Sequence, residues 1–283
     1  MKFQNEKAQV FVPDSLAEEQ AFERVTHLGV GAHQDDLEFM AWHGILTCYR
    51  QPKLWFAGVT CTNGAGSPRS GLYAQYTDEE MMEVRLREQN QAAAIGEYAA
   101  MVQLNHSSSV VKDGGNPALV DDLEALLRAM RPEVVYTHNL ADKHDTHIGV
   151  ALALIAAIRR LPEDMRPRQL LGCEVWRDLD WLMDDEKVNL DVGGREHLEN
   201  ALMGVFDSQI AGGKRYDLAT AGRRRAQATY NASHGVDKAE KVTYAMDLTP
   251  LVRDATLDVS EFILGAIKRF ESDVAAKLKL RKA

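Results

Sequence analysis

Cysteine is scarce. Three occur in 283 residues, at Cys48, Cys61 and Cys173, scattered and with no Cys-x-x-Cys spacing. An odd, dispersed set argues against a disulfide framework, offers no thiolate pair for a closed structural zinc site, and fits a reduced, cytoplasmic compartment. No apolar run approaches the roughly 18 residues of a membrane-spanning helix. The opening Met1-Lys2-Phe3-Gln4-Asn5-Glu6-Lys7 lacks the apolar core of a signal peptide. Basic excess is missing too: the formal net charge is −9, which leaves no electrostatic footprint for nucleic acid. Internal repeats and low-complexity linkers are absent. What remains is a chain long enough to bury an ample core, whose expected partner is a small molecule rather than nucleic acid or membrane. Oligomeric state is left open.

What is present is alternation. Apolar runs from about residue 24, over 53–62, 101–106, 133–138 and 170–176 read as buried strands. Helical patterns over 36–50, 78–96, 117–130 and 146–160 separate them. This order predicts an α/β fold: a Rossmann-like, mostly parallel sheet with helices on both faces. Residues 1–22 read as a lead-in arm with a helix start at Pro13-Asp14-Ser15. The final third suggests an edge strand at 188–192, a helix over 195–208, a strand over 241–248 and one long amphipathic helix over 251–281. One domain, with its core over about 24–248, is the economical organisation. The loop after Asn63 is long for a connection, which points to function.

The chemistry gathers at two strand ends. Val25 to Gly31 runs apolar and then breaks into His33, Asp35, Asp36 and Glu38. A second strand ends in Thr137-His138, followed by Asp142, His144 and His147. Both corners lie at the carboxyl edge of the predicted sheet, where open α/β folds collect their sites. His144 and His147 are three apart and so lie on one side of a helix start, with Asp145 or Thr146 as its N-cap and His147 in the first turn. Two imidazoles and a carboxylate from separate corners make a three-ligand zinc site with an open position, and a second carboxylate can take a proton from water there. On this reading His33 and Asp36 bind metal and Asp35 is the base. Taken singly, Asp35 and Asp36 also suit helix capping.

These residues carry a resemblance. Gly31-Ala-His-Gln-Asp-Asp-Leu-Glu38 resembles the Ala-His-Pro-Asp-Asp-x-Glu signature of the LmbE-like (PIG-L) family of zinc-dependent N-acetylglucosaminyl deacetylases. His144-Asp-Thr-His147 resembles its second signature, His-Pro-Asp-His. Weaker echoes are Thr62-Asn-Gly-Ala-Gly66, Arg85-Leu-Arg-Glu88, Lys112-Asp-Gly114, Phe206-Asp-Ser-Gln209 and Lys238-Ala-Glu240. The resemblance implies hydrolysis of an acetamide on an amino sugar. It implies Zn2+, or another divalent metal, on His33, Asp36 and His147. Asp35 would be the general base, and His144 would steady the oxyanion or protonate the departing amine. It also implies that Arg85 reaches substrate. Gln34 replaces a proline, which loosens the turn, and Asp145-Thr146 replaces Pro-Asp, removing the carboxylate before the last ligand.

Arg85 and Glu88 share a helix face that reads as buried, so an interior ion pair between them is the other expectation for Arg85. Asn63 and Asp113 leave strand ends and suit contacts to sugar hydroxyls, or equally turn formation. His43 and His234 are weaker pocket candidates; His27, His106 and His197 read as structural. The run Arg223-Arg224-Arg225 reads as a solvated helix face. A dinucleotide-binding oxidoreductase fails because Gln34 stands where the third glycine of the fingerprint belongs. A metal-dependent phosphoesterase lacks placeable bridging carboxylates. A non-catalytic sugar-binding protein with a degenerate site is the remaining alternative.

Overall fold

In the computed structural model, which describes residues 1–279, the N-terminal arm contributes to the sheet: Gln9–Phe11 forms strand β1, followed by helix α1 (Glu18–Glu23). The apolar run gives β2 (His27–Gly31). The helix expected over 36–50 is two, α2 (Asp36–Met40) and α3 (Trp42–Cys48), with the break at Ala41 (φ −104°, ψ 16°). The Arg224 guanidinium donates to the carbonyls of Glu38 and Phe39. Two acceptors near the end of α2, where helical donors run out, thereby find a partner.

β3 (Phe56–Thr62) leads through the long loop to α4 (Asp78–Ile95), which opens on a capping box. Thr77 Oγ1 accepts from Glu80 N–H at 3.2 Å while Thr77 N–H donates to Glu80 Oε2 at 2.8 Å. β4 (Ala100–His106) and short α5 (Ser108–Lys112) precede α6 (Pro117–Met130), whose Asn116 N-cap and leading proline match the expected start. β5 (Val134–His138), α7 (Asp145–Arg160) and β6 (Gln169–Cys173) finish the alternating part. Then come β7 (Lys187–Asp191), α8 (Glu196–Gly204), α9 (Asp207–Ile210), α10 (Tyr216–Tyr230) and β8 (Val242–Asp247). The expected terminal helix is also divided, into α11 (Thr249–Arg253) and α12 (Val259–Lys279). Residues 280 and 281 of that expectation lie outside the described residues. Among the described residues no helix is long and apolar enough to cross a membrane.

The strand order is β1-β4-β3-β2-β5-β6-β8-β7. The five strands from β4 to β6 run parallel, while β1 and β8 are antiparallel to their inner neighbours. Apolar layers cover both faces, so the fold is the expected mostly parallel α/β sheet. The chain steps from β2 to β3 and β4 on one side and to β5 and β6 on the other. The order therefore reverses between β2 and β5, which pair from His27↔Val134 to Gly29↔Tyr136. Such a reversal opens a crevice at the carboxyl ends of the strands. The loops that leave those two ends carry the two histidine-rich signatures.

Alternation along β2 sets the position of α2. Leu28 and Val30 join one apolar layer, and Gly29 and Gly31 face the other. A Cβ on Gly29 would lie 3.0 Å from Leu37, one on Gly58 2.6 Å from Leu37, and one on Gly31 3.1 Å from the Asp36 Cβ. The missing side chains let α2 seat directly on the sheet. Leu37 is fully buried there, a contact worth about 1.5–3 kcal/mol, and Asp36 is fixed over the end of β2.

Candidate metal centre

Three atoms from the two corners converge. His33 Nδ1 lies 3.2 Å from Asp36 Oδ2 and 3.2 Å from His147 Nε2, and His147 Nε2 lies 3.4 Å from Asp36 Oδ2. Donors at tetrahedral positions 2.0–2.2 Å from zinc are separated by about 3.3–3.6 Å, so this near-equilateral triangle fits one face of such a site. Two imidazoles and a carboxylate are also the donor set that suits zinc. The three residues expected from sequence as ligands are thus brought together, and they could hold a divalent ion with a position left open.

Two more histidines crowd the cluster, since nitrogen atoms of His33, His144 and His147, and donor atoms of Asp36, His138 and His147, each lie within 4.8 Å of one another. His138 is a poor ligand despite this. Its Nε2 accepts the Ala32 N–H at 2.9 Å, so its lone pair is engaged, and burial together with His147 pushes its pKa down to about 4. It stacks on His147 with ring centroids 3.8 Å apart, and packs that ligand into place.

Asp142 has a role that its place in the sequence does not disclose. Its Oδ2 accepts from His147 Nδ1–H at 3.0 Å, which turns Nε2 toward the triangle. A carboxylate behind a ligating imidazole fixes its tautomer and raises its basicity. Asp142 is itself held by the backbone N–H groups of Lys143 and Arg177. Burial alone would raise its pKa, but the hydrogen bond from His147 brings it below the usual value. Burial acts likewise on Asp36, and the imidazoles of His147, His138 and His33 outweigh it, so the ligand carboxylate stays ionised. The N-cap of α7 is His144, one residue before the expected position, and His147 is in the first turn as expected.

Asp35 sits beside the triangle and lines a cavity of about 680 Å³. Its backbone is at φ 98°, a left-handed conformation that costs energy in a non-glycine residue. Gln89 Oε1 accepts its N–H at 3.0 Å. Burial raises the Asp35 carboxyl to about 7, with Arg85 opposing and the Asp36 charge adding. Arg85 Nη1 lies 3.5 Å from Asp35 Oδ2, and a second Arg85 nitrogen donates to the Gln34 carbonyl. The expected Arg85–Glu88 ion pair is thus not formed. Glu88 instead accepts from Ser208 N–H and Oγ–H at 2.8 and 2.6 Å.

Gln34 does not loosen the first signature. Its Nε2 donates to Thr62 O and Gln103 Oε1, both at 3.1 Å, tying the turn to β3 and β4. Gly64, at φ 74°, lies against Gln34 and Arg85, where a Cβ would meet the Gln34 Oε1 at 2.8 Å. Asn63 and Asp113 act as turn formers. Asn63 Oδ1 accepts from Ala65 N–H at 3.2 Å and Asp113 Oδ1 from Gly115 N–H at 3.3 Å, and neither lines the cavity. Their neighbours Gly64 and Lys112 do. His43 pairs with the Tyr136 hydroxyl at 2.9 Å, and exposed His234 is also outside the cavity lining. The arginine run divides three ways: Arg223 lines the cavity, Arg224 is buried against Glu199 at 2.6 Å, and only Arg225 meets the solvated expectation.

Glu38 explains the last position of the first signature. It is buried, and its Oε1 accepts from Tyr98 Oη–H at 2.7 Å and Gln89 Nε2–H at 3.0 Å, so it anchors the residue that holds Asp35. Burial raises its pKa from 4.5 to about 8. The folded state therefore binds this proton more tightly than the unfolded one, and stability falls as pH rises from about 4.5 through about 8. The loss across that window is on the order of a few kcal/mol. Glu38→Gln is expected to flatten this part of the stability curve in urea titrations at a series of pH values; an unchanged slope would assign the effect to other groups.

Comparison with known proteins adds a domain match that contains both histidine-rich corners. Residues 28–158 match the family described as PIG-L: GlcNAc-PI de-N-acetylase. Residues 28–158 form a PIG-L (LmbE-like) domain. The chain is 27% identical over 164 residues to the uncharacterized deacetylase YaiS of Escherichia coli (strain K12), covering 58% of the chain and 80% of YaiS. Its fold is similar to that of the N,N'-diacetylchitobiose deacetylase from Pyrococcus horikoshii (TM-score 0.61, 15% identity, 83% of this chain and 88% of that one). It is also similar to GalB, the 4-carboxy-2-hydroxymuconate hydratase from Pseudomonas putida KT2440 (TM-score 0.58, 18% identity, 79% and 96%). The fold alone therefore does not select the reaction; the residues of the site must.

Proposed function

We propose that the chain is a zinc-dependent amide hydrolase that removes the acetyl group from an N-acetylated amino sugar of the N-acetylglucosamine type. The observation that carries this reading is the triangle of His33, Asp36 and His147 beside a buried carboxylate, Asp35, poised near neutrality. His33, Asp36 and His147 would hold a divalent ion, which would supply Lewis acidity and lower the pKa of water to about 7. Asp35 accepts the proton of the attacking water and gives it to the amine nitrogen as the C–N bond breaks, and such a proton carrier works best with a pKa near the operating pH. Arg85 and Gln89 keep Asp35 in position. His144 lines the cavity next to His33 and supplies a hydrogen bond to the carbonyl oxygen as charge develops there. The cavity is of a size that takes a small ligand, and the faces of Phe39, Trp176 and Tyr216 with the cations Lys112, Lys214 and Arg223 suit a sugar and its substituents.

The alternatives are disfavoured by particular atoms. A degenerate binding site is hard to reconcile with an intact donor triangle. A two-metal phosphoesterase needs a second, independent donor set, and among the described residues the clusters His33/His144/His147 and Asp36/His138/His147 each share two residues with the triangle, the latter also relying on the engaged His138. The buried free thiols Cys48, Cys61 and Cys173 fit the proposed cytoplasmic setting. Acetate release from a panel of N-acetylated sugars is the test. Release that is abolished by chelation and restored by zinc is expected; no release from any sugar by the zinc-loaded chain would refute the proposal.

A further inference from the structure

Thr146 stands where the family's second signature has a carboxylate, and it is fully buried between two histidines. Its Oγ1 is 3.2 Å from His33 Nε2 and 2.6 Å from His144 Nδ1. A carboxylate accepts from both imidazoles at once. A hydroxyl has one hydrogen and can donate only once, so the chain of contacts acquires a direction. The direction follows from His33, on the reading that its Nδ1 is a metal donor. With that lone pair turned to the triangle, the hydrogen of the neutral ring is on Nε2 and is donated to Thr146 Oγ1. The single hydrogen of Thr146 then goes to His144 Nδ1, and a neutral imidazole that accepts at Nδ1 carries its own hydrogen on Nε2.

We propose that Thr146 is a positioning residue that couples metal ligation at His33 to the tautomer of His144, so that His144 meets the substrate as a neutral Nε2–H donor. The replacement of the carboxylate changes the role of His144 and does not degrade the site. With an acid at position 146 the hydrogen of His144 would be held on Nδ1, leaving Nε2 as an acceptor unless the ring took up a second proton. With threonine, His144 is a hydrogen-bond donor to the carbonyl oxygen, which is what a developing oxyanion requires.

The test is long-range 1H–15N correlation spectroscopy on the 15N-labelled, zinc-loaded chain, with zinc stoichiometry measured on the same sample. One zinc per chain with His144 protonated on Nε2 and bare on Nδ1 is the expected result. One zinc per chain with His144 protonated on Nδ1, or on both nitrogens, overturns the proposal and leaves the metal site standing. Failure to bind one zinc overturns the metal reading and the proposal with it. Thr146→Val should lose the fixed tautomer and lower kcat by about tenfold with KM little changed, and Thr146→Ser should restore both. Val and Ser variants with the same tautomer spectrum and the same kcat also overturn it. Thr146→Asp is expected to retain zinc and move the His144 hydrogen to Nδ1; an unaltered His144 signature counts against the proposal.

Discussion

Asp35→Asn is expected to keep zinc and lose turnover by about 10²-fold or more. The substitution is close to isosteric, and asparagine is among the few residues that tolerate a positive φ, so the backbone at φ 98° can persist. The Asp35 N–H would still be donated to Gln89 Oε1. What is lost is the carboxylate that burial lifts to about 7, hence the capacity to accept a proton from water. An amide cannot replace it. Zinc content, circular dichroism and the rate of acetate release, measured together, separate this outcome from misfolding. Undiminished acetate release with zinc retained would remove Asp35 as the base.

The second large effect is on the metal itself. His147→Ala removes one corner of the donor triangle and the anchor of α7 within it, and no stoichiometric zinc should survive gel filtration. Asp142→Asn leaves all three donors but weakens the acceptor behind His147 Nδ1, and is expected to lower zinc affinity by about 10- to 100-fold. Chelator competition should therefore rank wild type above Asp142→Asn and Asp142→Asn above His147→Ala. Full zinc occupancy in the alanine variant would strike His147 from the ligand set.

The parts of this site that were legible in the sequence are those set by strand ends. An apolar run that stops at His33, and another that stops at His138, place their loops on one edge of a parallel sheet, and adjacency of β2 and β5 brings the loops together. The glycines of β2 belong to the same logic, because they admit α2 and with it Asp36. Residues whose roles depend on distant partners were not legible. Asp142 reaches His147 only because its loop folds back, which a spacing of five does not disclose. Arg224 reads as one of three surface arginines until α10 packs against α8 and β8 and buries it beside Glu199, which also takes Lys241. Gln34 looks like a lost proline, yet its amide ties the turn more specifically than a ring could. Asn63 and Asp113 illustrate the converse: both sit on the right loops, and both spend their carboxyl or amide oxygens on the backbone two residues ahead. The division of the 36–50 helix at Ala41 goes with a donor from far along the chain, the Arg224 guanidinium of α10, which takes the carbonyls of Glu38 and Phe39 just before the break.

A zinc-edge anomalous difference map from crystals of the zinc-loaded chain tests the central claim most directly. One peak is expected, about 2.0–2.2 Å from His33 Nδ1, Asp36 Oδ2 and His147 Nε2, with His138 Nε2 still accepting the Ala32 N–H. A peak bound elsewhere, or a second ion of equal occupancy shared with His138, would contradict a single-metal hydrolytic centre at this crevice.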